Sequence, residues 1–290
     1  MNKLLSLFIS IAIFFVGLFG NCAPLKADYK YIKDIPYGTA DEQRVDICIP
    51  KKASGEVGVM VFVHSGAWSG GYRSEFGEEM LSYASKLGVA AVSVGYRFVT
   101  DGADVDDMLS DITSALNAAK KAACLNGIKF GNMALTGLSA GAHLALLYAY
   151  KNAAEAPLPI KYVISQAGAT DFTDKAYYKT GADGLPTCAL PIERLCGTSL
   201  DAPDCAEKLE YASPVAYVSE NSVPTVIAHA TDDSVIPFSN ARTLAGALAD
   251  NGVEHYMFTY SGTDHFISDA LDADGEYQKT VVELAEKYLK

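Results

Sequence analysis

Polar and apolar residues alternate from Gln43 to Pro50 (QRVDICIP), the period of a strand with one buried face. Val57 to Val63 (VGVMVFV) drops the alternation; a continuous β-branched and apolar run predicts a strand covered on both sides. From Ser74 to Leu87 the period lengthens, with Phe76, Met80, Leu81, Tyr83 and Leu87 on one side. That spacing predicts a helix with Ser74 as its N-cap and Gly88 as its stop. Val89 to Val94 predicts another buried strand, and Met108, Ile112, Leu116 and Ala119 mark a long helix from Val105 to Leu125. Its acids, Asp104, Asp106, Asp107 and Asp111, crowd one end and Lys120 and Lys121 lie near the other, as the helix dipole favours. The same reading predicts strands at 132–136, 161–165, 225–229 and 253–260, and helices at 140–150, 240–251 and 275–289. Strands separated by helices of this length predict an α/β fold, a mostly parallel sheet with helices on both faces.

Two segments break the pattern. Between Phe172 and Asn221 the periodicity is weak, and a stretch that long inside one domain predicts a lid or binding insertion at about 172–221. At the start, Lys3 precedes Leu4 to Gly20, which carries no charge, and small and polar residues lead to Asp28. That layout predicts a signal peptide over residues 1–27 and a secreted or periplasmic mature chain, 28–290, with no membrane span. A retained anchor is the competing reading, because the apolar run approaches the ~20 residues that cross a bilayer. Cys22, after Leu18-Phe19-Gly20-Asn21, stands where a bacterial lipoprotein carries its lipid. The formal charge of −12, with no Lys/Arg cluster, argues against nucleic acid or anionic lipid as a partner. The six cysteines include no C-x-x-C pair, which argues against structural zinc.

The chemistry gathers at strand ends. Gly137-Leu138-Ser139-Ala140-Gly141 is a G-x-S-x-G between a predicted strand and a predicted helix. A turn that tight exposes the Ser139 hydroxyl and points the Ala140 N–H into the same space. Serine needs a base, and the base needs orienting. His64 and His229 end strands, His255 alternates within one, and His143 points along the nucleophile helix. His265 lies in the loop after the last strand, where a base can reach Ser139. Asp232 and Asp233 follow the strand 225–229, and both compete for the orienting role. Ser139, an aspartate and His265 occur in the chain order Ser…Asp…His. The small residues Ser65, Gly66 and Ala67 follow the strand 57–63, and Gly66 and Ala67 are candidate backbone donors for an oxyanion hole together with Ala140.

With these residues in place, the chain resembles the α/β-hydrolase superfamily, in its esterase/lipase branch related to hormone-sensitive lipase and to bacterial carbohydrate-ester and feruloyl esterases. The likeness runs over roughly residues 40 to 290. The branch's His-Gly-Gly-Gly/Ala-Trp loop is similar to His64-Ser65-Gly66-Ala67-Trp68, with Ser65 in place of the first glycine. Its Gly-x-Ser-Ala-Gly-Gly-His-Leu-Ala elbow is similar to Gly137 to Ala145, and its His-Gly-x-x-Asp-x-x-Val-Pro segment, laid on His229 to Pro237, selects Asp233. The resemblance implies a serine carboxylic ester hydrolase working without metal or organic cofactor on a small-molecule or carbohydrate ester, short-chain, acetyl or aromatic. Ser139 would attack, His265 carry the proton, and Asp233 stabilise the imidazolium. Trp68 and Phe266 are candidates to line the substrate pocket. Within the insertion, Cys196 and Cys205 are placed to close a small disulfide loop, with Cys188 an alternative partner for either. Two other readings compete. Kynurenine formamidases carry a similar His-Gly-Gly-x-Trp loop, though their cytosolic setting conflicts with an export signal, and a catalytically dead hydrolase fold would serve as a binding module.

Overall fold

The computed structural model describes residues 28–178 and 189–290; the expected signal peptide with Cys22, and Cys188 in the insertion, lie outside them. Eight strands form one sheet in the order β1-β2-β4-β3-β5-β6-β7-β8. They are β1 (Tyr29–Pro36), β2 (Arg44–Pro50), β3 (Glu56–Val63), β4 (Ala90–Val94), β5 (Lys129–Leu138), β6 (Ile160–Gln166), β7 (Thr225–Ala230) and β8 (His255–Tyr260). The first two run antiparallel to their neighbours, and all pairings from β4 through β8 are parallel. This is the α/β-hydrolase architecture. Among the described residues no helix is long and apolar enough to cross a membrane.

Alternate residues of the central strands feed two cores. Val59, Val61 and Val63 of β3 face helices α2 (Val105–Leu125) and α3 (Ala140–Lys151). Met60 and Phe62, one residue out of phase, face α1 (Gly77–Leu87) and the C-terminal helix. Both faces of β3 are thus shut from water, which is why its sequence shows no polar alternation. Helix α2 opens on a capping box: the Asp104 side chain accepts the Asp107 N–H, and Asp107 accepts that of Asp104, satisfying donors that the first turn leaves free. Ser74 does not cap α1 as expected. It lies within a 3-10 turn, Arg73–Phe76, and Phe76 holds the N-cap place.

The segment after Phe172 folds into short pieces, including α4 (Ala189–Cys196) and α5 (Cys205–Tyr211), whose Ile192, Leu195 and Leu209 join the α2/α3 core. Cys196 and Cys205 are free thiols, so the disulfide expected between them is absent. The loop joining α4 to α5 is closed by polar contacts instead: Glu193 accepts the Leu200 N–H at 2.8 Å, and Lys208 donates to the Gly197 carbonyl at 3.0 Å. Among the described residues three further α-helices follow: α6 (Ser239–Asp250), α7 (Ser268–Ala273) and α8 (Gly275–Tyr288).

Candidate active site

Parallel register brings the ends of β3, β5, β6, β7 and β8 to one edge of the sheet. Val63 pairs with Gly137, Leu138 with Gln166, Gln166 with Ala228 and Ala230 with Tyr260. The loops carrying the predicted chemistry all leave from this edge, as is usual for open α/β sheets. At its centre Ser139 takes φ 56° and ψ −120°, a left-handed conformation held only by surroundings that over-determine it. Two glycines permit the turn. A Cβ on Gly141 would stand 2.0 Å from the Val63 carbonyl oxygen, and one on Gly137 would stand 2.4 Å from the Gly141 carbonyl carbon. The elbow is therefore wedged against β3, and the Ser139 N–H is tied to the Gln166 carbonyl at 2.8 Å.

Three side chains from three loops meet there. His265 Nε2 lies 2.9 Å from the Ser139 hydroxyl, and His265 Nδ1 lies 2.8 Å from Asp233 Oδ2. With Nδ1–H donating to the carboxylate, Nε2 presents its lone pair to the Ser139 proton, the arrangement a general base requires. The hydroxyl, the ring and the carboxylate are all buried. Burial opposes the charge on Asp233, but hydrogen bonds from His229 and His265 outweigh it and hold the carboxyl well below its ordinary range. The other oxygen, Oδ1, accepts the N–H groups of Val235 and Ile236 at 2.9 and 2.8 Å. Asp232, the competing candidate, is exposed and accepts the Gly262 N–H at 3.2 Å; it does not touch His265.

The acid and base loops are laced together. While Asp232 of the first loop holds Gly262 of the second, Asp264 of the second accepts the Ser234 N–H and hydroxyl of the first at 2.8 and 2.9 Å. Asp264 also accepts the His265 N–H at 2.8 Å, so the clamp ends on the residue that must be aimed. His229 was read only as a strand end, yet its Nε2 stands 3.2 Å from Asp233 and 3.0 Å from the Ile236 carbonyl. The signal was available: His229 precedes Asp233 by four residues across a single turn.

The candidate oxyanion donors come from the loop after β3 and from the start of α3. Gly66, Ala67 and Trp68 take φ values of 115°, 51° and 55°, so the strain sits at Ala67 and Trp68, and Ser65 is not among the left-handed residues. Ala140 is the first residue of α3, where a backbone N–H has no intrahelical carbonyl to serve. Trp68, a candidate to line the substrate pocket, is packed inward. It is buried, its indole N–H donates to His143 Nδ1 at 3.1 Å, and its ring meets His143 and Phe172 edge-on. The large apolar ring with one donor thus fixes the Gly66–Trp68 loop to α3. Phe266, 44% exposed, stands edge-on to the His265 ring at 5.3 Å. His64 stacks on Tyr96 at 4.2 Å and burial pushes it down to about 4. His255 hydrogen-bonds the Val253 carbonyl at 2.9 Å, away from the three.

Residues 45–248 match the BD-FAE family. Among curated proteins, a probable isoprenylcysteine alpha-carbonyl methylesterase of Oryza sativa subsp. japonica is 27% identical over 263 residues, 83% of this chain and 60% of that protein. The chain thus spans little more than half the length of that relative. A kynurenine formamidase of Danio rerio is 31% identical over 117 residues, 40% of this chain and 38% of its own. Among solved structures, a truncated carbohydrate esterase from gut microbiota superposes with a TM-score of 0.72 at 17% identity, covering 89% of this chain and 95% of that one.

Proposed function

The chain belongs to the BD-FAE family, and from that premise we propose that it is an exported serine carboxylic ester hydrolase. The observation that carries the reading is the continuous relay from Ser139 through His265 to Asp233, with contacts of 2.9 and 2.8 Å. In this mechanism His265 takes the hydroxyl proton as Ser139 attacks the ester carbonyl, and the imidazolium is stabilised by the buried Asp233 carboxylate. The N–H groups of Gly66, Ala67 and Ala140 bind the oxyanion of the tetrahedral intermediate. Collapse expels the alcohol with the proton returned by His265, and water repeats the sequence on the acyl-enzyme. The insertion, anchored in the core by Ile192 and Leu195, acts as a lid over the acyl or alcohol side.

Small acyl groups on carbohydrate or aromatic esters are the proposed substrates, a reading supported by the likeness to a carbohydrate esterase and by Phe266 beside His265. The uncharged N-terminal run after Lys3 supports export, with cleavage near residue 27. The test is hydrolysis of p-nitrophenyl acetate by the purified chain, with Ser139→Ala expected to lower kcat by about 10⁴-fold or more. Activity kept in Ser139→Ala sinks the mechanism. The partial likeness to a kynurenine formamidase supports a second reading, amide hydrolysis; indifference to every ester with cleavage of N-formylkynurenine decides for it.

A further inference from the structure

The residue just ahead of the proposed oxyanion donors is pinned at each polar group. Glu75 accepts the Ser65 N–H at 2.9 Å through Oε2 and the Ser65 hydroxyl at 2.6 Å through Oε1. The Ser65 carbonyl faces His64 Nδ1 at 2.8 Å and the Tyr96 hydroxyl at 3.5 Å. Glu75 is itself held, because it rides the Arg73–Phe76 turn. Arg73 there pairs with Asp34 and Asp46, and its carbonyl accepts the Ser93 hydroxyl at 2.8 Å.

The peptide plane transmits this hold. A trans peptide is rigid, so the Ser65 carbonyl and the Gly66 N–H point in opposite directions, and fixing one aims the other. Beyond it, three consecutive residues with φ above 50° keep their conformation only while both ends of the loop are fixed. The far end is tied by the Trp68 indole on His143 and by the Trp68 carbonyl, which accepts the Val99 N–H at 2.9 Å. Glu75 ties the near end. Because the Ser65 N–H is spent on Glu75, this loop has Gly66 and Ala67 to offer an oxyanion. The serine that stands where the resembled loop carries glycine supplies a second contact, since its hydroxyl reaches the other carboxylate oxygen.

We infer that Glu75 is a positioning residue for acyl transfer, which holds Ser65 and through the Ser65–Gly66 peptide aims the Gly66 and Ala67 N–H groups at the developing oxyanion. The inference rests on the mechanism proposed above. Glu75 reaches no reacting atom. Its effect is on the transition state, where negative charge appears on the carbonyl oxygen, more than on the ground-state ester.

The experiment compares E75A, E75Q and S139A with the wild type in p-nitrophenyl acetate hydrolysis, with rates expressed per folded molecule and melting followed in parallel. E75A is expected to lose about 10–100-fold in kcat, part of the ~10²–10³ that follows removal of a whole oxyanion donor. Its KM should stay within about threefold, the signature of an interaction felt in the transition state. E75Q keeps an acceptor for the Ser65 N–H and gains a donor toward the Ser65 oxygen, so its kcat should recover to within about threefold of wild type. Wild-type kcat in folded E75A, a change in KM alone, or E75Q as slow as E75A each overturns the inference. If E75A does not fold, S65A carries the test: kcat several-fold lower at unchanged KM supports it, and wild-type kcat refutes it. Activity lost in S139A but unchanged in E75A refutes the Glu75 role alone, whereas activity kept in S139A removes the mechanism beneath it.

Discussion

Lowering the pH from 7 toward 4 puts a proton where His143 has no room for one. Its Nδ1 accepts the Trp68 indole N–H at 3.1 Å, and its Nε2–H donates to the Ala212 carbonyl at 2.8 Å. Protonation would set two N–H groups against each other in a fully buried site, and burial pushes the ring from 6.5 down to about 4. In the unfolded chain the ordinary value near 6.5 returns. The native state is therefore undisturbed above about pH 6.5. As the pH falls from there to about 4, the unfolded chain takes up a proton that the native ring refuses, and stability declines. At about 1.4 kcal/mol per pH unit, the whole window removes about 3 kcal/mol. His64, also pushed down to about 4 by burial, adds a similar loss. Burial raises Glu75 and Asp272, whose native forms bind protons more readily than the unfolded chain, so they return part of the loss over the same range. The assay is urea unfolding at a series of pH values, followed by the fluorescence of Trp68, the chain's one tryptophan, which touches His143 directly. His143→Gln keeps a donor and an acceptor but does not titrate, and should flatten the pH dependence by about 3 kcal/mol. A variant as pH-sensitive as the wild type would refute the reasoning.

Three other outcomes follow from the geometry. Asp233→Asn replaces an acceptor of two histidine N–H groups and should lower kcat by about 10³–10⁴-fold, as wrong-tautomer variants of such triads do, while Asp232→Asn stays within about threefold; the reverse order in a kcat comparison moves the acid. Gly141→Ala places a Cβ 2.0 Å from the Val63 carbonyl and should destabilise by about 3 kcal/mol or more, read as a fall in the urea midpoint. Phe266→Ala, at an exposed ring beside His265, should raise KM for aromatic esters more than for acetyl esters without changing the melting temperature, and equal KM values for both rule out its part in binding.

Much of this was legible in the chain. The strands with two buried faces announced themselves through uninterrupted Val, Ile and Ala, and the elbow was visible because a glycine pair brackets Ser139 between two unlike periodicities. Pairing of His265 with an aspartate followed from chain order, although the residues alone left Asp232 and Asp233 level; burial separates them, since the Asp233 side chain is fully enclosed and Asp232 is exposed. Other features left no mark. Strand β1 reads YKYIKDIP and is half-exposed along its length, so neither period dominates it. Helices α4 and α5 span two turns each, too short for a 3.6-residue repeat to declare itself. An aromatic ring in a glycine-rich loop suits a pocket or a core alike, and the bond from Trp68 to His143, far along the chain, has no local signal. The contact between Ser65 and Glu75 bridges ten residues of turn, with no periodicity to reveal it.

The crossed aspartates, Asp232 on Gly262 and Asp264 on Ser234, divide the proposed relay into two parts. His265 and Asp233 ride as one block on the β7–β8 margin of the sheet, and Ser139 rides β5 at its middle, with β6 between them. Only one joint of the relay, Ser139 to His265, crosses from block to block. A separation of the β7–β8 margin from the middle of the sheet would break that joint and leave His265 paired with Asp233. Bringing the two parts back together would rebuild the whole relay through that single contact.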